Sequence, residues 1–147
     1  MKLTILGKPK QKQGFMFTMT GHRYKKKDVA EAEQNIRTQV INQIPKDFKL
    51  WDCPIEVKSI LYVFPILTSF PKWKRDLIKS GTIIHKSTKP DLTDNLQKGL
   101  FDALEGIIYV NDSLICKIGS LDKIYGDKPR TEVIIEPFIG LTDKSKK

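Results

Sequence analysis

The stretch that most constrains the fold is residues 55–64, where apolar side chains occupy both alternating faces of an expected strand. Successive side chains of a strand point to opposite faces of a sheet, so a strand that is apolar on both faces needs cover on both sides. We therefore predict that this strand lies in the centre of a sheet.

Two helices are predicted on either side of this strand in the sequence. The first covers residues 28–44, because Asp28 and Glu31 form a capping-box pattern and Pro45 ends the helix. Apolar residues recur in it at spacings of three and four, which predicts the buried stripe Val29, Ala32, Ile36, Val40 and Ile44. The second is a short basic helix at residues 72–79, in which Trp73 and Leu77 are expected to pack inward.

The remaining pattern completes an α+β domain with a mixed β-sheet packed against helices. A third helix follows residue 94, and further strands are expected at residues 2–6, 107–110, 113–125 and 130–136. The turn residues at 126–129 predict that the last two strands form a hairpin. We expect one domain over residues 1–141, followed by a basic tail at residues 142–147.

Acidic residues gather where the third helix begins, in the sequence KPDLTDNLQKGLFDALE. Asp91 and Asp94 precede an apolar side formed by Leu96, Leu100, Ala103 and Leu104, and Asp112 follows in a later turn. Carboxylates that converge at a loop-to-helix junction suit a hard divalent cation such as Mg²⁺. Alternatively, Asp94 is only the N-cap of the helix. A calcium loop starting at Asp91 is excluded, since Leu96 occupies its glycine position.

The charge of the chain indicates a polyanionic partner. Lys and Arg number 26 against 17 acids, a net charge of +9, and three carboxylates inside such a basic chain suggest a bound metal. A metal with Lys98 nearby would suit phosphodiester cleavage. The basic loop at residues 10–27 could contact phosphates and stack on bases, or be a hairpin with buried aromatics. His85 has no evident partner for a metal role.

The sequence also favours an intracellular protein. Cys53 and Cys116 are far apart and form no C-x-x-C pair, so we expect reduced cysteines. The apolar run before Gly7 is too short for a signal peptide, and no later stretch is long enough to span a bilayer. We expect a cytoplasmic location.

Several motifs together resemble the RusA family, the Holliday junction resolvases of lambdoid prophages and phages. The motifs between residues 89 and 130 are Lys89-Pro90-Asp91, Asp94-Asn95, Lys98, Asp102-Ala103-Leu104, Asp112, Lys123 and Pro129-Arg130. Gly7-Lys8-Pro9 after the first strand, and Tyr24 with its lysines, also look like the N-terminal half of the family, so the similarity covers nearly the whole chain. Two residues separate Asp91 from Asp94, where the family commonly has one, and Asn111 replaces the first acid of a frequent Asp-Asp pair.

The resemblance implies a homodimeric, Mg²⁺-dependent crossover junction endodeoxyribonuclease of phage or prophage origin, with Mn²⁺ as a substitute ion. By match, Asp91, Asp94 and Asp112 would be the catalytic metal ligands and Lys98 the catalytic lysine. The implied DNA-contacting residues are Lys89, Lys98, Lys10, Lys12, Arg23 and Lys123.

Two other functions fit the same residues. The chain could be a non-catalytic basic module that binds nucleic acid, with the aspartates acting as helix caps. It could also be a nuclease that cuts branched DNA without preferring four-way junctions. A nuclease should need a metal ion, whereas the binding module should need none. Comparison of cleavage on different branched substrates separates a junction resolvase from a nuclease without junction preference.

Overall fold

The computed structural model describes residues 1–10, 16, 17, 23, 24, 27–93 and 95–145. The strands are β1 (Lys2–Leu6), β2 (Met16–Phe17), β3 (Arg23–Tyr24), β4 (Ile55–Pro65), β5 (Ile115–Gly126) and β6 (Arg130–Pro137). The helices are α1 (Lys27–Ile41), α2 (Lys72–Lys79) and α3 (Asn95–Leu104), and a short 3₁₀ helix covers Asp112–Leu114.

Strand β4 lies inside a four-stranded sheet whose order is β1-β6-β4-β5. It pairs antiparallel with β6 and parallel with β5, while β1 pairs antiparallel with β6. A separate two-stranded ladder joins β2 to β3. The predictions of an α+β fold, a mixed sheet and a central strand near residues 55–64 are confirmed.

The predicted hairpin between the last two strands is wrong. Strands β5 and β6 follow each other in sequence, but β4 lies between them in the sheet. The turn at residues 127–129 therefore crosses the end of β4, a step of about 10 Å because neighbouring strands lie about 4.8 Å apart. A turn does follow β5 as predicted, but β4 lies between β5 and β6 and pairs with both of them.

Other element boundaries also differ from the predictions; β5, for example, begins at Ile115 and not at residue 113. Residues 107–110 form a turn instead of a strand, with isolated bridges from Tyr109 to Trp51 and to Glu105. Their apolar character serves the core, since Ile107, Ile108 and Tyr109 are all buried. Helix α1 ends at Ile41, three residues earlier than predicted, and Ile44 packs on the core from the following turn.

Helix α2 has the predicted bounds but turns a different face inward. Trp73 is 62% exposed and Leu77 is 41% exposed, whereas Ile78 is buried. The predicted packing of Trp73 and Leu77 is therefore wrong. Lys74 instead lies over the ring of Phe70, with its Nζ 4.5 Å from the ring centroid.

Helices α1 and α3 pack together on one face of the sheet, where the core lies. Leu3 and Val40 are fully buried there, as are Leu96 and Leu104 of α3. One row of residues crosses all four strands on this face, because neighbouring strands pair them one after another: Ile5, Thr131, Tyr62 and Lys123. This row connects the core beneath α1 to the edge strand β5.

Candidate active site

The turn that carries Asp91 is fastened to β5 by one lysine. Lys123 Nζ donates hydrogen bonds to the carbonyl oxygens of Thr88, at 2.6 Å, and Pro90, at 2.7 Å. The Lys89-Pro90 peptide bond is cis. Asp91 follows directly and is exposed. The two hydrogen bonds therefore fix the backbone immediately before the first acid of the predicted site.

The segment leading into this turn runs along the outer edge of β5. Lys86 N donates to Lys123 O at 2.9 Å, and Tyr125 N donates to Ile84 O at 3.1 Å. The Lys86 ammonium lies 5.1 Å from the centroid of the Tyr125 ring and donates to Thr88 Oγ1 at 2.9 Å. Two positively charged groups, from Lys86 and Lys123, thus lie beside the turn, which favours a nearby anion.

His85 lies in the same segment, and its partner was missed in the sequence. Its Nε2 is 3.2 Å from Asp122 Oδ1 on β5. The sequence shows no partner for a metal role of His85, and the structure gives it one acidic neighbour, Asp122. The two residues are 37 positions apart, and only the pairing of this segment with β5 brings them together.

Helix α3 presents its polar side beyond the turn. Leu96, Leu100, Ala103 and Leu104 are buried, as the spacing of the apolar residues predicts, and Lys98 is exposed. Arg37 of α1 donates from its guanidinium to the carbonyl oxygens of Ala103, at 3.1 Å, and Glu105, at 3.0 Å. Carbonyls at a helix C-terminus lack partners within the helix, so Arg37 satisfies two of them and fixes the helix.

Asp112 lies just beyond the C-terminal end of α3. Its backbone N–H donates to Glu105 Oε1 at 3.0 Å, and its side chain is exposed. Asn111 Oδ1 accepts a hydrogen bond from Ser113 N at 2.8 Å and so caps the short 3₁₀ helix. The asparagine that replaces the family's first acid therefore has a structural role here.

A buried tyrosine lies beneath these acids. Tyr109 is fully buried and its hydroxyl donates to Phe101 O at 2.6 Å. Burial raises the pKa of Tyr109, and the negative charges of Asp112, Glu105 and Asp102 raise it further. These three carboxylates therefore share one region of negative potential beside α3.

Glu105 is the acid that the sequence analysis missed. Its spacing could have revealed it, because Lys98, Asp102 and Glu105 are four and three residues apart and fall on one stripe of a helix. Its carboxylate lies next to the predicted ligand Asp112 through the Asp112 N–H hydrogen bond.

The two predicted ligands that the structure describes lie outside α3, one on the segment before it and one on the segment after it. Asp91 lies on the approach to its N-terminal end and Asp112 beside its C-terminal end, while Asp94 falls outside the described residues. Within the described ranges, no three His, Cys, Asp or Glu side chains are close enough together to hold a metal. Asp91 and Asp112 have no ion-pair partner in this part of the chain, and their exposed carboxylate oxygens are ligands that suit Mg²⁺. The three-aspartate site stays a prediction.

The predicted DNA-contacting residues have different environments. Lys10, Lys89 and Lys98 are exposed, whereas Lys123 is half-buried with its ammonium engaged by Thr88 and Pro90. Lys12 and the side chain of Arg23 lie outside the described residues.

Comparison with known proteins identifies the family. The family model described as "Endodeoxyribonuclease RusA" matches residues 7–136. The chain belongs to the RusA family. Members of this family are nucleases that act on branched DNA, generally with a divalent metal ion. The resemblance drawn from the motifs around Asp91 and Asp112 is thereby confirmed at the level of the family.

The chain is also similar to a curated protein of Bacillus subtilis (strain 168), the "Uncharacterized protein YqaN". The two are 38% identical over 71 residues, which cover 48% of each chain. The match thus spans about half the length of that relative. Across the residues that the structure describes, no helix combines the length and the apolar character needed to cross a membrane.

Proposed function

We propose that this RusA family member is a homodimeric, Mg²⁺-dependent endonuclease that resolves four-way DNA junctions during recombination and repair in the cytoplasm of a bacterial host. The family match over residues 7–136 carries the proposal. The basic charge of the chain, +9, suits a DNA substrate. Two-fold related cuts in a four-way junction suit a dimer with one active site in each subunit.

In the proposed site, Asp91, Asp94 and Asp112 hold Mg²⁺, and Lys98 contacts the scissile phosphate. The bound ion would supply Lewis-acid stabilisation and activation of the attacking water. The Lys98 ammonium stabilises negative charge that develops on the phosphate oxygens. The exposed Lys89 and Lys10 bind flanking phosphates, and Lys123 holds the Asp91 turn in place through its bonds to Thr88 and Pro90.

The decisive experiment is cleavage of a synthetic four-way junction by the Asp94→Asn variant. We expect cleavage in Mg²⁺ to be lost while junction binding without metal remains, because the amide keeps the shape of the side chain but removes its charge. Asp127→Asn, which changes an exposed acid in a turn away from the site, is the matched control and should cleave normally. Wild-type-like cleavage by Asp94→Asn would refute the assignment.

Three further measurements test the finer parts of the proposal. Nicked products from junction, flap and linear duplex at equal concentration report substrate choice, and equal rates would contradict junction selectivity. Sedimentation without DNA reports the oligomer, and a monomer at micromolar concentration would contradict the dimer. A crystal soaked in Mn²⁺ should show the ion bound by Asp91, Asp94 and Asp112. Binding without any metal-dependent cleavage would favour a nucleic-acid-binding module.

A further inference from the structure

A cavity of about 360 Å³ opens between β1, α1 and α3. Its walls are mostly apolar, with Ile5 from the sheet, Ile36 from α1, and Leu96 and Leu100 from α3. The charged residues Lys8, Lys10 and Glu31 also line it, and all three are exposed. Ligand sites in proteins typically have volumes of about 300–1,000 Å³ and mostly apolar walls with a few polar groups. The cavity has the size and lining of such a site.

The cavity contains a buried hydroxyl to which none of the described residues forms a hydrogen bond. Tyr62 lines the cavity and is only 2% exposed, and its hydroxyl has no hydrogen-bond partner within the described residues. Buried polar groups in proteins are nearly always hydrogen-bonded, so an unpaired one calls for an explanation. Burial raises the pKa of Tyr62, so the hydroxyl stays protonated and can both donate and accept a hydrogen bond.

Strand pairing and helix α3 connect the cavity to the candidate active site. Tyr62 pairs with Lys123 on β5, and Lys123 holds the carbonyl oxygens of Thr88 and Pro90 just before Asp91. Leu96 and Leu100, which line the cavity, belong to the helix that follows the same turn. A group in this cavity would therefore lie one strand away from Lys123 and against the helix that follows the Asp91 turn.

We propose that this cavity receives one extrahelical nucleobase of the DNA substrate, from the nucleotide next to the scissile phosphate, and that the Tyr62 hydroxyl reads its edge. The inference rests on the proposed nuclease function. Each chemical part of a nucleotide has a matching group: aliphatic walls for the base faces, the hydroxyl for its edge, and Lys8 and Lys10 for the phosphate.

A branched substrate favours such insertion. Extrusion of a base costs least where pairing and stacking are already interrupted, as they are at a branch point. A base that enters the cavity would fix the strand relative to the Asp91 turn and so position the phosphate for cleavage. The same contact would make the cleavage rate depend on the base at that position.

The first test uses junctions with 2-aminopurine at single positions around the branch point, because this base fluoresces more strongly when it is unstacked. Wild-type protein, bound without metal, should raise the fluorescence at a position next to the nick. Ala32→Phe, which places a ring at the half-buried wall of the cavity on α1, should abolish that rise. Ala30→Phe, on the exposed side of the same helix, should preserve it. Absence of a rise at every position for the wild-type protein would overturn the proposal.

The second test uses Tyr62→Phe, which removes only the hydroxyl. Cleavage rates are compared on four junctions that differ in the base at the responsive position. The ratio of cleavage rates between the best and the worst base should be about threefold to tenfold smaller in the variant than in the wild type. This factor corresponds to the loss of one hydrogen bond. Thermal stability should not fall, because the hydroxyl has no partner to lose within the described protein. If a folded Tyr62→Phe variant keeps the wild-type ratio of cleavage rates, the Tyr62 hydroxyl does not recognise the base, and this part of the proposal is overturned.

The two proposals fail in distinguishable ways. A wild-type protein that cuts junctions without any 2-aminopurine response refutes the base cavity and leaves the nuclease function intact. A protein that cuts no DNA in Mg²⁺ or Mn²⁺ refutes the nuclease function itself, whatever the fluorescence shows.

Discussion

Replacement of Lys123 with methionine tests whether the hydrogen bonds beneath the Asp91 turn position the active site. The methionine side chain retains much of the apolar stem but loses both donors, which lie 2.6 Å and 2.7 Å from the Thr88 and Pro90 oxygens. Hydrogen bonds that involve a charged group contribute about 1.5–3 kcal/mol each. Because Lys123 is only half-buried, we take the two together as about 2–3 kcal/mol.

If that energy is lost from the positioned turn, kcat for junction cleavage should fall roughly 30- to 150-fold, since each 1.36 kcal/mol is a factor of ten. Rates are measured under single-turnover conditions with saturating enzyme, so that binding does not limit them. Lys128→Met removes an exposed lysine from the following turn and serves as the matched control, with kcat within about twofold of wild type.

DNA affinity measured against salt concentration separates positioning from phosphate contact. If Lys123 acts through the turn, junction binding without metal and its salt dependence should stay near wild type. A direct phosphate contact would instead weaken binding and reduce the salt slope by about one. Unchanged kcat in Lys123→Met, or a loss confined to binding, would refute the positioning role.

Three other substitutions test the fold around the site. Gly119→Ala should lower the free energy of unfolding by about 2–4 kcal/mol in urea titrations, because its Cβ would overlap the Lys58 carbonyl oxygen. Gly140→Ala is the control, because its Cβ would meet only the ring of Phe138, which can move. Arg37→Met should cost about 1–3 kcal/mol by the same measurement, since two carbonyl oxygens at the end of α3 lose their donor. Burial raises the pKa of Glu56, but the hydrogen bond from Lys58 and nearby positive charges outweigh it and hold the pKa below its ordinary value of 4.5. The stabilisation is therefore present above that pH and is lost as pH falls through the lowered pKa, so Glu56→Gln should be less sensitive to acid than wild type in melting curves from pH 6 to pH 3.

The local elements could be predicted from the sequence because local signals determine them. A proline precedes α2 and a glycine follows β1, and apolar spacing gives the buried side of α3. The central position of β4 follows from its apolar character on both faces. These predictions needed no information about distant residues.

Contacts between distant residues could not be predicted in the same way. The pairing of β6 with β4 depends on the whole sheet, and the turn at residues 127–129 suits either arrangement. The contact of His85 with Asp122 and the hydrogen bonds of Lys123 join segments more than 30 residues apart. The cavity beside Tyr62 is formed by residues of β1, α1, β4, α3 and β6, and no local pattern indicates it.

The position of β6 between β1 and β4 also governs when the sheet can form during synthesis. Strand β1 has β6 as its partner in the described sheet, yet β6 begins roughly 120 residues later in the chain. At about 5–20 residues per second, the ribosome needs about 6–25 s to bridge that interval. Strand β1 must therefore wait until β6 has been made before it can pair at this edge of the sheet.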